Sequence, residues 1–283
     1  MIYISSGCVR ANRIGDAVRF LVDRGFKNIE LSGGTDFYVD YVNDLQKLKN
    51  NYGLSFSLHN YFPPPRKHFV LNLASLNNDV FNSSIENCKK ALDLSQELGA
   101  SKYGIHAGFL IDPKVDELGR KIKQQKHYDK QKAMEQFAKG LRSLKEYSDS
   151  IEIYVENNVF STPNIESFGY NPFLFTDFRS YTELREFVDF KILLDWAHLK
   201  VSCNTLGIDF GEELNRLAPL SDYYHLSDND GLTAANHKIE KESILFEYLS
   251  SMQNANQTLT LEIYDGIDAV EETYRFLKDL YEQ

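Results

Sequence analysis

Apolar positions along the chain fall into short β-rich runs separated by longer amphipathic stretches. Residues 2–6 read as a strand, and residues 12–24 then place Ile14, Val18, Leu21 and Val22 at helical spacing before Gly25 stops them. The pattern repeats. Strands are predicted at 28–31, 54–59, 102–106, 151–156, 191–195, 223–226 and 258–263. Helices are predicted at 39–51, 77–98, up to about 147, and at 181–188, 209–217, 240–250 and 269–281. Gly99 closes the long helix before it. Pro63, Pro64 and Pro65 end the third strand, because proline cannot donate to a ladder.

Eight strands alternating with eight helices imply parallel strands and right-handed crossovers. The 283 residues suit a closed (β/α)8 TIM barrel, read as one domain over 1–283. The strands are apolar nearly throughout, as expected of strands covered on both faces. An open doubly wound sheet is the weaker reading, since no Gly-x-Gly-x-x-Gly turn follows the first strand. The segment 157–176, rich in Asn, Pro, Phe and Gly, is long for a plain connector and is read as a functional loop.

Titratable residues gather at the strand ends. Strand three ends in His59, strand four in His106, strand five in Glu156 and strand six in Asp195, with His198 three residues on; strand seven carries His225 and strand eight Glu262. Successive positions lie roughly one β/α unit apart. The C-terminal ends of barrel strands share one mouth, so these side chains are expected to meet. Buried carboxylates need partners or a metal. Nitrogen and oxygen donors without a thiolate favour a divalent cofactor of the Zn2+, Mn2+, Fe2+ or Co2+ kind over Ca2+. Glu156 and Glu262 are candidate acid and base on opposite faces of a carbon next to a carbonyl, and His59, His106 and His198 are candidate substrate contacts.

Arg66 and Lys200 could hold a phosphate or carboxylate. Tyr61, Phe62, Tyr170, Phe173 and Trp196 could wall a sugar ring. His237 is a weaker candidate, and His68 and His127 read as surface residues.

Net charge is −10, which disfavours nucleic acid as a partner. Cys8, Cys88 and Cys203 are few and widely spaced, so a disulfide framework is not expected and a reduced, cytoplasmic setting fits. The first seven residues lack a basic lead and a cleavage signature, so they are read as a strand rather than a signal peptide. No run of eighteen apolar residues occurs, so no membrane span is expected.

His106-Ala107-Gly108, Glu156 in Val-Glu-Asn-Asn, Asp195-Trp-Ala-His198, His225-Leu-Ser-Asp-Asn-Asp-Gly231 and Glu262 in Leu-Glu-Ile together resemble the xylose-isomerase-like barrel superfamily. That group holds sugar isomerases and epimerases, inosose dehydratases and the endonuclease IV family. The resemblance implies a metal on Glu156, Asp195, His225 and Glu262, a substrate-binding role for His198, an acid and base pair at Glu156 and Glu262, a small carbohydrate or sugar phosphate as substrate, and self-association.

Two departures bear on substrate. Ketohexose epimerases tend to carry an Arg shortly after the strand-seven His, where this chain reads Asp228-Asn229-Asp230-Gly231. The endonuclease IV positions are matched by His59, His106, Glu156, Asp195, His198, His225 and Glu262, but its Asp-x-His pair reads Ala235-Asn236-His237, so a third metal is expected to be weak or absent.

Overall fold

The computed structural model describes residues 1–251 and 257–281. Its strands are β1 (Ile2–Ser5), β2 (Asn28–Leu31), β3 (Ser55–His59), β4 (Lys102–His106), β5 (Glu152–Glu156), β6 (Lys191–Asp195), β7 (Ser221–Leu226) and β8 (Thr258–Leu261). Every pair is parallel, and β8 closes on β1. The expected (β/α)8 barrel is therefore present.

The helices are α1 (Ile14–Asp23), α2 (Tyr41–Tyr52), α3 (Asn78–Leu98), α4 (Lys130–Tyr147), α5 (Thr162–Phe168), α6 (Phe178–Arg185), α7 (Trp196–Leu206), α8 (Phe210–Leu217), α9 (Ile244–Ser251) and α10 (Ile267–Tyr281). Among the described residues, none is long and apolar enough to cross a membrane. Two helices were not expected. The segment read as one loop at 157–176 contains α5, which has Pro163 in its first turn. The other, α7, follows β6 directly. Its buried residues Trp196, Leu199, Val201 and Cys203 point to several sides, so no apolar stripe marks it. The predicted helix at 181–188 starts three residues earlier, where Asp177 accepts a hydrogen bond from the Ser180 N–H at 2.7 Å. Gly99 ends α3 with φ of 65°, a conformation costly for other residues.

Side chains on a strand alternate between faces, and this alternation positions the site. Ile153, Val155, Ile192, Leu194, Tyr224 and Leu226 belong to the main core between strands and helices. Their neighbours Tyr154, Leu193 and Tyr223 form a separate buried cluster inside the barrel. Two residues further on, the same inward face presents Glu156, Asp195 and His225. The apolar plug thus becomes the floor of a polar chamber at the C-terminal mouth. Strand pairing sets His106 beside Glu156 and Asp195 beside His225.

Candidate metal centre at the barrel mouth

Glu156, Asp195 and His225 are fully buried, and Glu262 is 9% exposed. His225 Nδ1 lies 3.2 Å from Glu262 Oε2, 3.3 Å from Glu156 Oε1 and 4.0 Å from Asp195 Oδ2. Donors held about 2.0–2.2 Å from one ion lie roughly 3 Å from each other, so this spacing suits a shared divalent cation. Glu156 Oε1, Asp195 Oδ2 and His225 Nδ1 are buried without a hydrogen-bond partner. Native proteins rarely leave such atoms unpaired, and a cation would satisfy all three. The four residues the sequence proposed as ligands thus come together, and their donor set fits a metal.

Each is aimed by a local device. Asp195 Oδ1 accepts from the His198 N–H at 2.7 Å and so caps α7, which leaves Oδ2 free. Asn157 pins the ends of β5 and β6 together. Its amide donates to Asp195 O at 2.9 Å, and its carbonyl oxygen accepts from Asp195 N–H at 2.7 Å. The other oxygen of Glu156, Oε2, is 2.6 Å from His59 Nε2 and 3.4 Å from His106 Nδ1. Glu262 Oε1 accepts from Tyr264 OH at 2.7 Å. The absence of a side chain at Gly104 makes room for His59: a Cβ there would sit 2.8 Å from Leu193 and 3.0 Å from the His59 ring.

The electrostatics follow from burial and neighbours. Burial opposes ionisation of Glu156, but His106, His59 and His225 hold its carboxyl well below the usual range. Burial likewise opposes ionisation of Glu262, yet the His225 imidazole close beside it brings it to about 2. Burial raises Asp195. Burial also pushes His106 down to about 4, so it is neutral at pH 7 and able to accept or ligate.

A cavity of about 310 Å³ opens above this floor, lined by His59, His106, Glu156, His198 and Glu262 among others. His198 Nδ1 is held by Asn157 O at 3.1 Å. Tyr61 and Phe173 also line the cavity. Other expected wall residues do not reach it. Trp196 is fully buried against Tyr224, with ring centroids 5.8 Å apart, because it begins α7 facing the core. Phe62 is buried in the main core. Tyr170 packs beside Phe168 and His127.

The structure does not bring Arg66 or Lys200 to this cavity either. Arg66 follows the proline run into a separate groove and lies over the Phe37 ring at 4.7 Å. Lys200 points along α7 to Asp228 Oδ1 at 2.5 Å and Asn229 O at 2.6 Å, so its charge is already compensated. His237 is at the surface, paired with Asp265 at 2.8 Å.

Sequence reasoning missed Glu30. It is fully buried in β2, with Oε1 3.0 Å from His225 Nε2, and its other oxygen accepts from Tyr223 OH and, at 3.1 Å, from Thr260 Oγ1. Strand alternation could have found it: Ile29 and Leu31 face the helices, so Glu30 must face the barrel axis. Tyr264, which lines the cavity, also went unremarked.

Residues 18–280 match the xylose isomerase-like TIM barrel family, and the chain belongs to it. No curated protein sequence matches the chain. Among solved structures it is similar to a D-tagatose 3-epimerase-like protein, at 17% identity and a TM-score of 0.74 over 99% of this chain and 96% of that one. It is also similar to 3-keto-D-glucoside 4-epimerase from E. coli, at 12% identity and a TM-score of 0.66 over 98% of each chain. A third similar structure is endonuclease IV from Thermus thermophilus, at 15% identity and a TM-score of 0.62 over 99% of this chain and 98% of that one. At these identities the likeness is one of fold.

Proposed function

We propose that the chain is a metal-dependent isomerase or epimerase acting on a small sugar by proton transfer next to a carbonyl. The observation that carries this reading is the convergence of Glu156 Oε1 and Glu262 Oε2 on His225 Nδ1, beneath a cavity of monosaccharide scale. Glu156, Asp195, His225 and Glu262 would hold the cation. Zn2+, Mn2+ or Co2+ suits these donors. Such a cation would polarise a carbonyl and its neighbouring hydroxyl and so acidify the C–H between them.

The chain's own groups would do the rest. Glu156 and Glu262 approach from β5 and β8. One carboxylate takes the proton from the carbon, and the other returns a proton to the opposite face, which inverts that carbon. Both are anionic at neutral pH, so one must receive its proton from substrate or water before it can donate. His59 and His106 brace Glu156, while His198, fixed by Asn157, is placed to contact a hydroxyl. The sugar epimerases among the similar structures support the same class of reaction.

The test is exchange of substrate C–H with solvent deuterium, in a screen of free and phosphorylated sugars with Mn2+, Co2+ and Zn2+. Product formation without exchange would remove the proton-transfer mechanism.

One observation favours a second reading. His59, His106 and Glu156 offer donor atoms within 4.8 Å of one another, adjoining a group formed by Glu156, Asp195 and His198. Two or more zinc ions there would suit a phosphodiesterase of the endonuclease IV kind. The surface position of His237 and the charge of −10 weigh against it. Survival of an abasic-site oligonucleotide during incubation with added zinc would dispose of it.

A further inference from the structure

Resting on the reading of the mouth as a sugar-transforming centre, we infer that its substrate is an uncharged sugar with an apolar terminus, such as a deoxy position, and not a sugar phosphate.

The first ground is charge. None of the described residues lining the cavity is Lys or Arg, while Glu156 and Glu262 both face it. A phosphate dianion at the distal end of the cavity would find no Lys or Arg to pair with; the imidazoles that line the chamber, His59, His106 and His198, lie at its floor beside Glu156. A single cation on the floor would already be occupied by the reacting end of the sugar.

The second ground is the rim. Barrels often bind phosphate on backbone N–H groups of the loops after strands seven and eight. Here four amides of the loop after β7 are already taken by carboxylates of the chain. Asp228 Oδ1 accepts from Asn229 N–H at 2.7 Å, Asp230 Oδ1 from Leu232 and Thr233 N–H at 2.8 and 2.9 Å, and Asp265 Oδ2 from Lys238 N–H at 2.8 Å. These amides are therefore not free to cradle a phosphate.

The third ground is the wall. Phe109, Leu118, Ile122, Val159 and Phe173 give the cavity an apolar stretch, with the polar side chains of Asn60, Asn158, Ser161, Asn164 and Asn236 around it. The wall is held in place. Leu110 N–H donates to Pro172 O at 2.7 Å, Ile122 N–H donates to Asn164 Oδ1 at 2.8 Å, and the Phe109 and Phe173 rings meet edge to face at 5.4 Å. Asn158 and Asn164, which also line the cavity, spend their side-chain amides on backbone carbonyls of the chain, so a hydroxyl or phosphate against the apolar side chains would lose water for little return. A methyl group there gains about fourfold in affinity per buried carbon.

The experiment is titration calorimetry of the Mn2+-loaded chain against matched triplets. Each triplet holds a parent aldose or ketose, its terminal deoxy analogue and its terminal phosphate, across the pentoses and hexoses. In every triplet that binds, the deoxy analogue should bind at least as tightly as the parent, and the phosphate at least tenfold more weakly. Leu118→Arg should raise the affinity for the phosphates at least tenfold and leave Mn2+ binding unchanged. A phosphate that binds more tightly than its parent, or a parent that outbinds its deoxy analogue, overturns this inference alone, provided solvent-deuterium exchange is still seen. Absence of both binding and exchange across the whole panel overturns the sugar reading, and this inference with it.

Discussion

The two ends of the barrel use charge in opposite ways. At the N-terminal end, anions and cations are matched. Lys102 lies 3.8 Å from Asp222, donates to Thr258 Oγ1 at 3.0 Å and sits between the Tyr154 and Tyr223 rings, while Lys191 pairs with Glu152. At the C-terminal end, Glu30, Glu156, Asp195 and Glu262 converge, and the charged groups facing them are imidazoles. One end closes the barrel with pairs that need nothing further. The other gathers four carboxylates against imidazoles and leaves Glu156 Oε1, Asp195 Oδ2 and His225 Nδ1 among the buried atoms without a hydrogen-bond partner, an arrangement that a cation would satisfy. The buried cluster of Tyr154, Leu193 and Tyr223 lies between the two ends.

Breaking the cation-hungry end should have the largest consequence. Glu156→Gln should cost about 10³-fold in turnover and in solvent-deuterium exchange, the scale of a lost general base combined with a lost ligand. Metal content measured by mass spectrometry should fall with it. Retention of a full metal complement would shift Glu156 from ligand to proton carrier only.

Glu30→Gln tests the support beneath the site. Its carboxylate orients His225 through Nε2 and does not reach the cavity, so metal affinity should fall by about 10- to 100-fold with the fold intact. Competition with a chelator would measure this, and unchanged affinity would leave Glu30 as a barrel-packing residue only.

Chelation should lower the melting temperature, because the native state alone presents the assembled ligands. Adding Mn2+ at about 100 times its dissociation constant should restore roughly 2.7 kcal/mol, a shift of several degrees for a chain of this size. An unmoved transition would contradict the charge argument for the mouth.

The smallest effect belongs to the paired end. Lys102→Met should alter turnover less than about twofold and stability by about 1 kcal/mol, as for other partly exposed pairs. A large loss of turnover would show that the two ends are coupled through the plug.

The barrel was legible because strand and helix periods alternate without interruption, and β2, β4 and β6 have the bounds their apolar runs predict. The mouth was legible because one end of every strand faces one chamber, so Glu156, Asp195, His225 and Glu262 could be assembled on paper. What escaped depended on side-chain direction. Glu30 lies inside an apolar strand rather than at its end, and only its parity betrays it. Arg66 and Lys200 follow the correct strands, but a proline run and a helix axis carry them elsewhere. The start of α7 was hidden because Asp195 reads as a strand terminus, whereas it is also a helix cap.

That double role of Asp195 has a consequence for assembly. Once α7 starts, the bond from His198 N–H has frozen the carboxylate's rotation, so the second oxygen arrives already pointed at its target. The conformational entropy of aiming one ligand is spent during folding rather than at capture. Serine at this position would keep the helix start and lose the aim, whereas alanine would lose both.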